Sequence, residues 1–240
     1  SMSSGLSSTF QVLAALLVPL GGHAAPVSFE GDLILFAYLF ALGRFFTASA
    51  ALDTGSPFEG MGAAREVTFS CLAEPALFLG FLVLAKLSGS LSLTGMLNGP
   101  FPGGWGAAGA SLVLVAASLF VVLLAENPRI PLDDPHTHLE LTMIHEVMIL
   151  DHSGPALGMI LYGAALKLFV LGAVVLRVAF PIDMENLWMG WGVFVAGMML
   201  LAVLIGVVAS TMARLRLPYI PNLFVAACLL SAFGLVLMVK

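Results

Sequence analysis

Between Glu126 and Gly154 the chain gathers six carboxylates, four of its five histidines and Arg129, although only 10% of its residues are charged. Imidazoles titrate near neutrality, and carboxylates respond to desolvation and to neighbouring charge, so proton transfer is the chemistry such a set offers. Asp134 before Pro135 fits an N-cap with proline at the first helical position. That pattern predicts a helix from there towards Asp151, ended by Ser153-Gly154-Pro155. Leu139, Leu141, Met143, Ile144, Val147, Met148 and Ile149 are interleaved with the polar residues, and lysine is absent, as expected of an amphipathic helix that packs on something. His138, His145 and His152 recur every seven residues and share one face. They cannot share one metal ion, because seven residues rise about 10.5 Å along a helix, whereas ligands lie within about 2.1 Å of their ion. His145-Glu146 also lacks the second histidine of a zinc-protease helix, since Ile149 stands there. No metal site is expected.

Three more charges lie inside apolar runs: Arg44, Glu74 and Lys167. An ionisable side chain at the centre of a membrane helix costs about 2.5–3.5 kcal/mol on insertion scales, so each asks for a partner or a water path. Glu74 precedes Pro75, which removes a helix hydrogen bond and creates a polar point within the run. Two uses are open for Arg44 and Glu74: a pair that lets a bundle close, or a proton-conducting, coupling role.

These groups belong to a membrane protein. Sixty per cent of residues are apolar, 25 are glycine and the mean hydropathy is +1.06, beyond the apolar share of a soluble domain. Runs able to cross a bilayer, at roughly 20 residues each, lie at about 33–51, 66–87, 107–125, 156–180, 188–212 and 219–239. A seventh, near 8–27, is weaker because Pro19, Gly21, Gly22 and His23 interrupt it. The runs lack the alternation of a membrane barrel, so the expected fold is an all-α, polytopic helix bundle of six to seven spans. A single integral membrane domain is expected over 1–240, with 126–155 as an acidic, histidine-rich cytoplasmic loop or helix. Gly158, Gly163, Ala164 and Gly172 suit close helix contact. The Ser-rich start has no basic residues before its apolar part, unlike a cleavable signal peptide. No transporter-like pair of broken helices recurs along the sequence.

Cys71 and Cys228 fall inside apolar runs and read as small buried hydrophobes. An iron–sulfur cluster ordinarily takes four thiolates, so any electron-transfer cofactor must belong to partners. Arg65, Arg129, Arg214 and Arg216 occupy one alternate set of loops, and the positive-inside rule places that set, with the Asp53–Glu66 loop and the acidic segment, in the cytoplasm. There is no basic patch and no sign of a nucleic-acid partner.

The motifs Leu52-Asp53-Thr-Gly-Ser-Pro-Phe-Glu-Gly-Met-Gly-Ala-Ala-Arg65-Glu66, Ala73-Glu74-Pro75, Glu126 to Gly154 and Met212-Ala-Arg-Leu-Arg216 occur in one order over most of the chain. Through them it resembles the membrane subunit of formate hydrogenlyase and related energy-converting nickel–iron hydrogenases (the formate hydrogenlyase subunit 4 family). That subunit is similar in turn to the complex I subunit that forms the quinone chamber. The resemblance implies a non-redox anchor in the cytoplasmic membrane of a prokaryote, not catalytic alone but part of an oxidoreductase complex. Its implied partners are hydrogenase-like large and small subunits, a ferredoxin-like iron–sulfur subunit and antiporter-like membrane subunits. Iron–sulfur clusters, and nickel–iron where the partner is a hydrogenase, would sit in those partners. Carried onto this chain, the proton path and coupling set comprises Arg44, Glu74, Glu126, Arg129, Asp133, Asp134, Glu140, His145, Glu146 and Asp151. The interface with the soluble arm takes Asp53, Glu59, Arg65, Glu66, His138, His152, Arg214 and Arg216.

Family members begin with a further membrane helix and a basic amphipathic segment ending in an Arg-Gly-Pro-like turn, whereas this sequence opens Ser1-Met-Ser-Ser-Gly-Leu6. The family's first helix is therefore expected to lie outside these residues, which puts a quinone site in question. Three classes of function remain: a coupling subunit moving H⁺ or Na⁺, a quinone-site subunit of a complex I-type oxidoreductase, and a free-standing ion transporter.

Overall fold

The computed structural model describes residues 2–21, 23–98, 104–127, 147–180, 187–211 and 220–239. Among them run eight α-helices: α1 (Met2–Ala15), α2 (Asp32–Leu52), α3 (Pro57–Ser88), α4 (Leu93–Asn98), α5 (Gly104–Glu126), α6 (Gly154–Ala179), α7 (Leu187–Thr211) and α8 (Ile220–Val239). No strand occurs among the described residues. Six of the helices, α2, α3 and α5 to α8, are long and apolar enough to cross a membrane.

The weak run near 8–27 is not one span. Helix α1 ends at Ala15, less than halfway along that run. Beyond it the chain turns back, with the Val27 N–H donating to the Leu16 carbonyl at 3.2 Å. Pro19 has no N–H with which to continue the helix.

Helix α3 begins nine residues before the apolar run that announces it. Ser56 is extended (φ −78°, ψ 128°) and Pro57 fills the first turn, where its missing N–H costs nothing. The expected Asp53–Glu66 loop thus shrinks to Asp53–Ser56, and Glu59, Arg65 and Glu66 become helical. At the far end Gly89 takes φ +69° while its N–H bonds the Ala85 carbonyl, a left-handed cap that glycine adopts without a Cβ penalty. Ser153-Gly154-Pro155 opens α6 in the same manner as Ser56-Pro57 opens α3. Of the helix expected from Asp134 towards Asp151, residues 134–146 lie outside the described residues. Val147–Ile149 form a 3₁₀ turn, so no α-helix reaches Asp151.

Two groups of helices make the bundle. Helices α3, α5 and α8 pack on one another, α1 packs on α2 and α6, and α2–α3 and α5–α6 contacts join the groups; α7 lies against α6. The shared core includes Phe36, Phe40, Phe81, Leu84, Leu123 and Val174. Ring centroids of Phe36 lie 4.7 Å from Phe40 and 6.0 Å from Phe81, tilted and edge-on as aromatic quadrupoles prefer. Serine hydroxyls tie helices inside the membrane: Ser118 donates to the Ala227 carbonyl at 2.8 Å and stands 2.7 Å from Ser231 Oγ. Cys71 is exposed on the outer face of α3 and Cys228 is half-buried, so neither is the fully buried hydrophobe the sequence suggests. In a bilayer the outer face of a helix is as apolar as its core face, and hydropathy cannot tell them apart.

Candidate functional site: an ion network inside the bundle

Each intramembrane charge finds a partner on another helix. Arg44 of α2 reaches Glu74 Oε1 of α3 with Nη2 at 2.5 Å, and Glu126 Oε1 at the end of α5 with Nη1 at 3.1 Å. The other oxygen of Glu126 lies 2.6 Å from Lys167 Nζ of α6, and Lys167 stands 3.9 Å from Glu66 Oε1, back on α3. The order Glu74–Arg44–Glu126–Lys167–Glu66 therefore alternates in sign and draws on four helices. Its two α3 ends, eight residues apart, are separated by about 12 Å along the helix axis.

Burial makes these pairs count. Side chains of Arg44, Glu126, Lys167 and Glu66 are 14, 6, 8 and 16% exposed, while Glu74 is 39% exposed. Charges removed from water interact strongly but lose hydration, so a buried network is poor grounds for a purely stabilising role. Within the set, three carboxylates face two cations, leaving one negative charge in excess when all are ionised. One proton neutralises it. Each cation is shared between two carboxylates, so a proton arriving on one carboxylate frees its cation for the next.

The local sequence explains the placement. Apolar neighbours on α2 and α6 bury Arg44 and Lys167 with no alternative to an ionic partner. Glu126 ends the last turn of α5, beside Asn127, whose Nδ2 bonds the Leu123 carbonyl at 3.0 Å.

The structure redistributes the residues expected from sequence. Glu126, expected in the acidic 126–155 loop or helix, is a core member of the network at the end of α5, and Glu66, expected at the soluble-arm interface, turns inward to Lys167. Glu59 is also withdrawn from any outer surface, being fully buried. Its Oε1 accepts the Asp151 backbone N–H at 2.8 Å and lies 3.6 Å from His152 Nδ1, and its Oε2 takes a short hydrogen bond from Thr54 Oγ1. The His152 side chain, 5% exposed, is buried with it. Glu59 and His152 thus pin the 3₁₀ turn and the start of α6 to the first turns of α3. Asp53 and Asp151 are exposed, Asp53 accepting Ser3 Oγ at 3.1 Å. Arg65 is half-buried, its Nη2 3.6 Å from Met61 Sδ. Arg129, Asp133, Asp134, His138, Glu140, His145, Glu146, Arg214 and Arg216 lie outside the described residues. Lys167 is the member that sequence reasoning set apart without giving it a role. The signal was present, since a lysine within an apolar span requires a carboxylate, but nothing in the sequence said which one.

A cavity of about 360 Å³ lies beside the network between α2 and α3. Phe36, Phe40 and Leu77 line it, and Arg44, Glu74 and Glu126 close its polar end.

Hydrogenase-4 component C of Escherichia coli (strain K12) is 33% identical over 211 residues, covering 85% of this chain and 65% of that protein. Formate hydrogenlyase subunit 4 of the same strain is 32% identical over 222 residues, covering 87% and 69%. The chain thus spans about two thirds of the length of these relatives, slightly less for the first. A chain in the structure of the membrane-bound sulfane sulfur reductase, an archaeal respiratory membrane complex, superposes with a TM-score of 0.82 over 98% of this chain and 78% of its own, at 20% identity. That likeness speaks for the fold. The six spans and these relatives make the chain an integral membrane protein. A match that runs from residue 2 to residue 240 assigns it to a family: the chain belongs to the NADH dehydrogenase family.

Proposed function

We propose that this chain is the coupling subunit of a multisubunit, energy-converting hydrogenase-type complex, linking electron transfer in a soluble arm to translocation of H⁺ or Na⁺. The observation that carries the reading is the unbroken Glu74–Arg44–Glu126–Lys167–Glu66 network, a titratable path inside a helix bundle. The two E. coli relatives, named as a component and a subunit, favour a part of an assembly over a free-standing transporter.

In this reading the redox arm holds the cofactors: iron–sulfur clusters, with nickel–iron where the partner is a hydrogenase. Hydrogenase-like large and small subunits and a ferredoxin-like subunit sit on the face bearing Asp53 and Asp151, and antiporter-like subunits lie alongside in the membrane. The complex sits in a prokaryotic cytoplasmic membrane with that face towards the cytoplasm. The 127–153 connector responds to the redox step, and the Glu59–His152 contact carries its movement to α3, the helix that also bears Glu66 and Glu74. A shift of α3 changes how Arg44 and Lys167 are shared among the three carboxylates, and so where the proton resides.

Glu74→Gln keeps the side chain's shape and removes its charge. The complex is expected to assemble and pass electrons while losing ion translocation in inverted vesicles. Full translocation per electron pair in that variant overturns the reading.

A further inference from the structure

We propose that the groove between α2 and α3 seats a membrane-spanning helix of a partner subunit, which brings a lysine or arginine to the depth of Glu74. The proposal rests on the chain being one subunit of a larger membrane complex.

Glu74 stands near the midpoint of the 32-residue α3, yet its side chain is 39% exposed, the most open of the five network groups. The cavity it closes opens outward past Ile34, Tyr38 and Phe78, which are 58, 66 and 47% exposed. An outward-facing carboxylate at that depth meets hydrocarbon unless something covers it, and lipid tails offer no donor. Within the network Arg44 is already divided between Glu74 and Glu126. One negative charge therefore remains in excess, and the carboxylate nearest the outside is the one a further cation can reach.

The shape suits a helix. Ala37, Ala41 and Ala73 line the groove, and small residues let a neighbouring backbone approach closely in lipid. Exposed Phe45 and Leu82 extend the apolar rim beyond the cavity. The rim receives the helix and the cavity receives the basic side chain. A second copy of this chain is a poor occupant, because a two-fold contact would set Glu74 against Glu74, each from a network with surplus negative charge.

The test uses the complete complex in its native membrane, with a benzophenone amino acid replacing Tyr38 or Phe78 and the cross-linked peptides sequenced after illumination. The expected adduct is a membrane-spanning helix of a partner subunit with a lysine or arginine within one turn of the attachment point. Glu74→Lys should abolish that adduct, and reversing the partner's cation to glutamate should restore it. Adducts to lipid alone, to another segment of this same chain, to a second copy or to a helix without a cation overturn the proposal, as does no adduct at either position. Cross-linking reads position and Glu74→Gln translocation reads coupling, so the two fail separately: an intact adduct with undiminished pumping refutes the coupling role and leaves the docking surface standing.

Discussion

Replacing Lys167 with methionine keeps the length and apolar stem of the side chain and removes only its ammonium. Glu126 Oε2 then loses a cation at 2.6 Å, and Glu66 loses the one at 3.9 Å. Removing one partner of a buried pair costs about 3–5 kcal/mol, because the remaining charge is stranded. The flanking groups are 6 and 16% exposed, so water offers little relief, but Glu126 keeps Arg44 at 3.1 Å and only Glu66 is left without a cation, so Lys167→Met is expected at the lower end of that range. Glu66→Gln alone should cost less, since its bridge is the longest in the network. In the Lys167→Met background its sign should reverse: three carboxylates would face one cation, and deleting one carboxylate relieves repulsion. The double-mutant cycle should then show a coupling of about 1–3 kcal/mol, within the range for residues sharing a network. Urea and thermal unfolding of the detergent-purified protein, followed by tryptophan fluorescence, measures all four corners. Additivity within about 0.5 kcal/mol would refute the claim that Glu66 belongs to this network.

Three further outcomes follow from packing and hydrogen bonding, besides the loss of ion translocation expected of Glu74→Gln. A Cβ on Gly190 would meet the Gly21 carbonyl oxygen at 2.7 Å, whereas one on Gly163 would meet only the movable Gln11 Oε1 at the same distance. Gly190→Ala should therefore destabilise by about 1–3 kcal/mol, and Gly163→Ala by clearly less, as read from unfolding midpoints. Asp32 is fully buried and accepts the Leu93 N–H at 2.6 Å and Ser92 Oγ at 2.9 Å. Asp32→Ala strands the buried Leu93 N–H at the start of α4, whereas the Ser92 hydroxyl keeps Ser28 Oγ at 3.1 Å; the loss should cost about 1–3 kcal/mol, with faster proteolysis between α3 and α5. Ser231→Ala deletes the hydroxyl that meets Ser118 Oγ and the Ala76 carbonyl. It should cost about 0.6 kcal/mol, the average for hydrogen bonds between membrane helices, and no more than about 1.7.

The spans are legible in the sequence because a bilayer demands about 20 apolar residues per helix and hydropathy alone satisfies that rule. Their ends are less so. The nine additional residues at the start of α3 carry Glu59 and Arg65, and a hydropathy window stops at charge, whereas a helix stops only where caps or backbone conformation end it. Arg44, Glu74 and Lys167 stand out in the sequence itself, since charge in an apolar run is costly wherever it points.

Sequence alone thus determined that this is an all-helical membrane protein with ionisable groups held inside it, and its motifs indicated the family. Tertiary structure alone decided that Arg44 divides itself between Glu74 and Glu126, that Lys167 completes the line to Glu66, and that Glu59 faces inward to His152. The physical reason is range. Hydropathy and capping act within a few residues, so a sequence displays them directly. Ion pairs here join positions 30 to 101 residues apart, and which carboxylate meets which cation depends on how four helices pack.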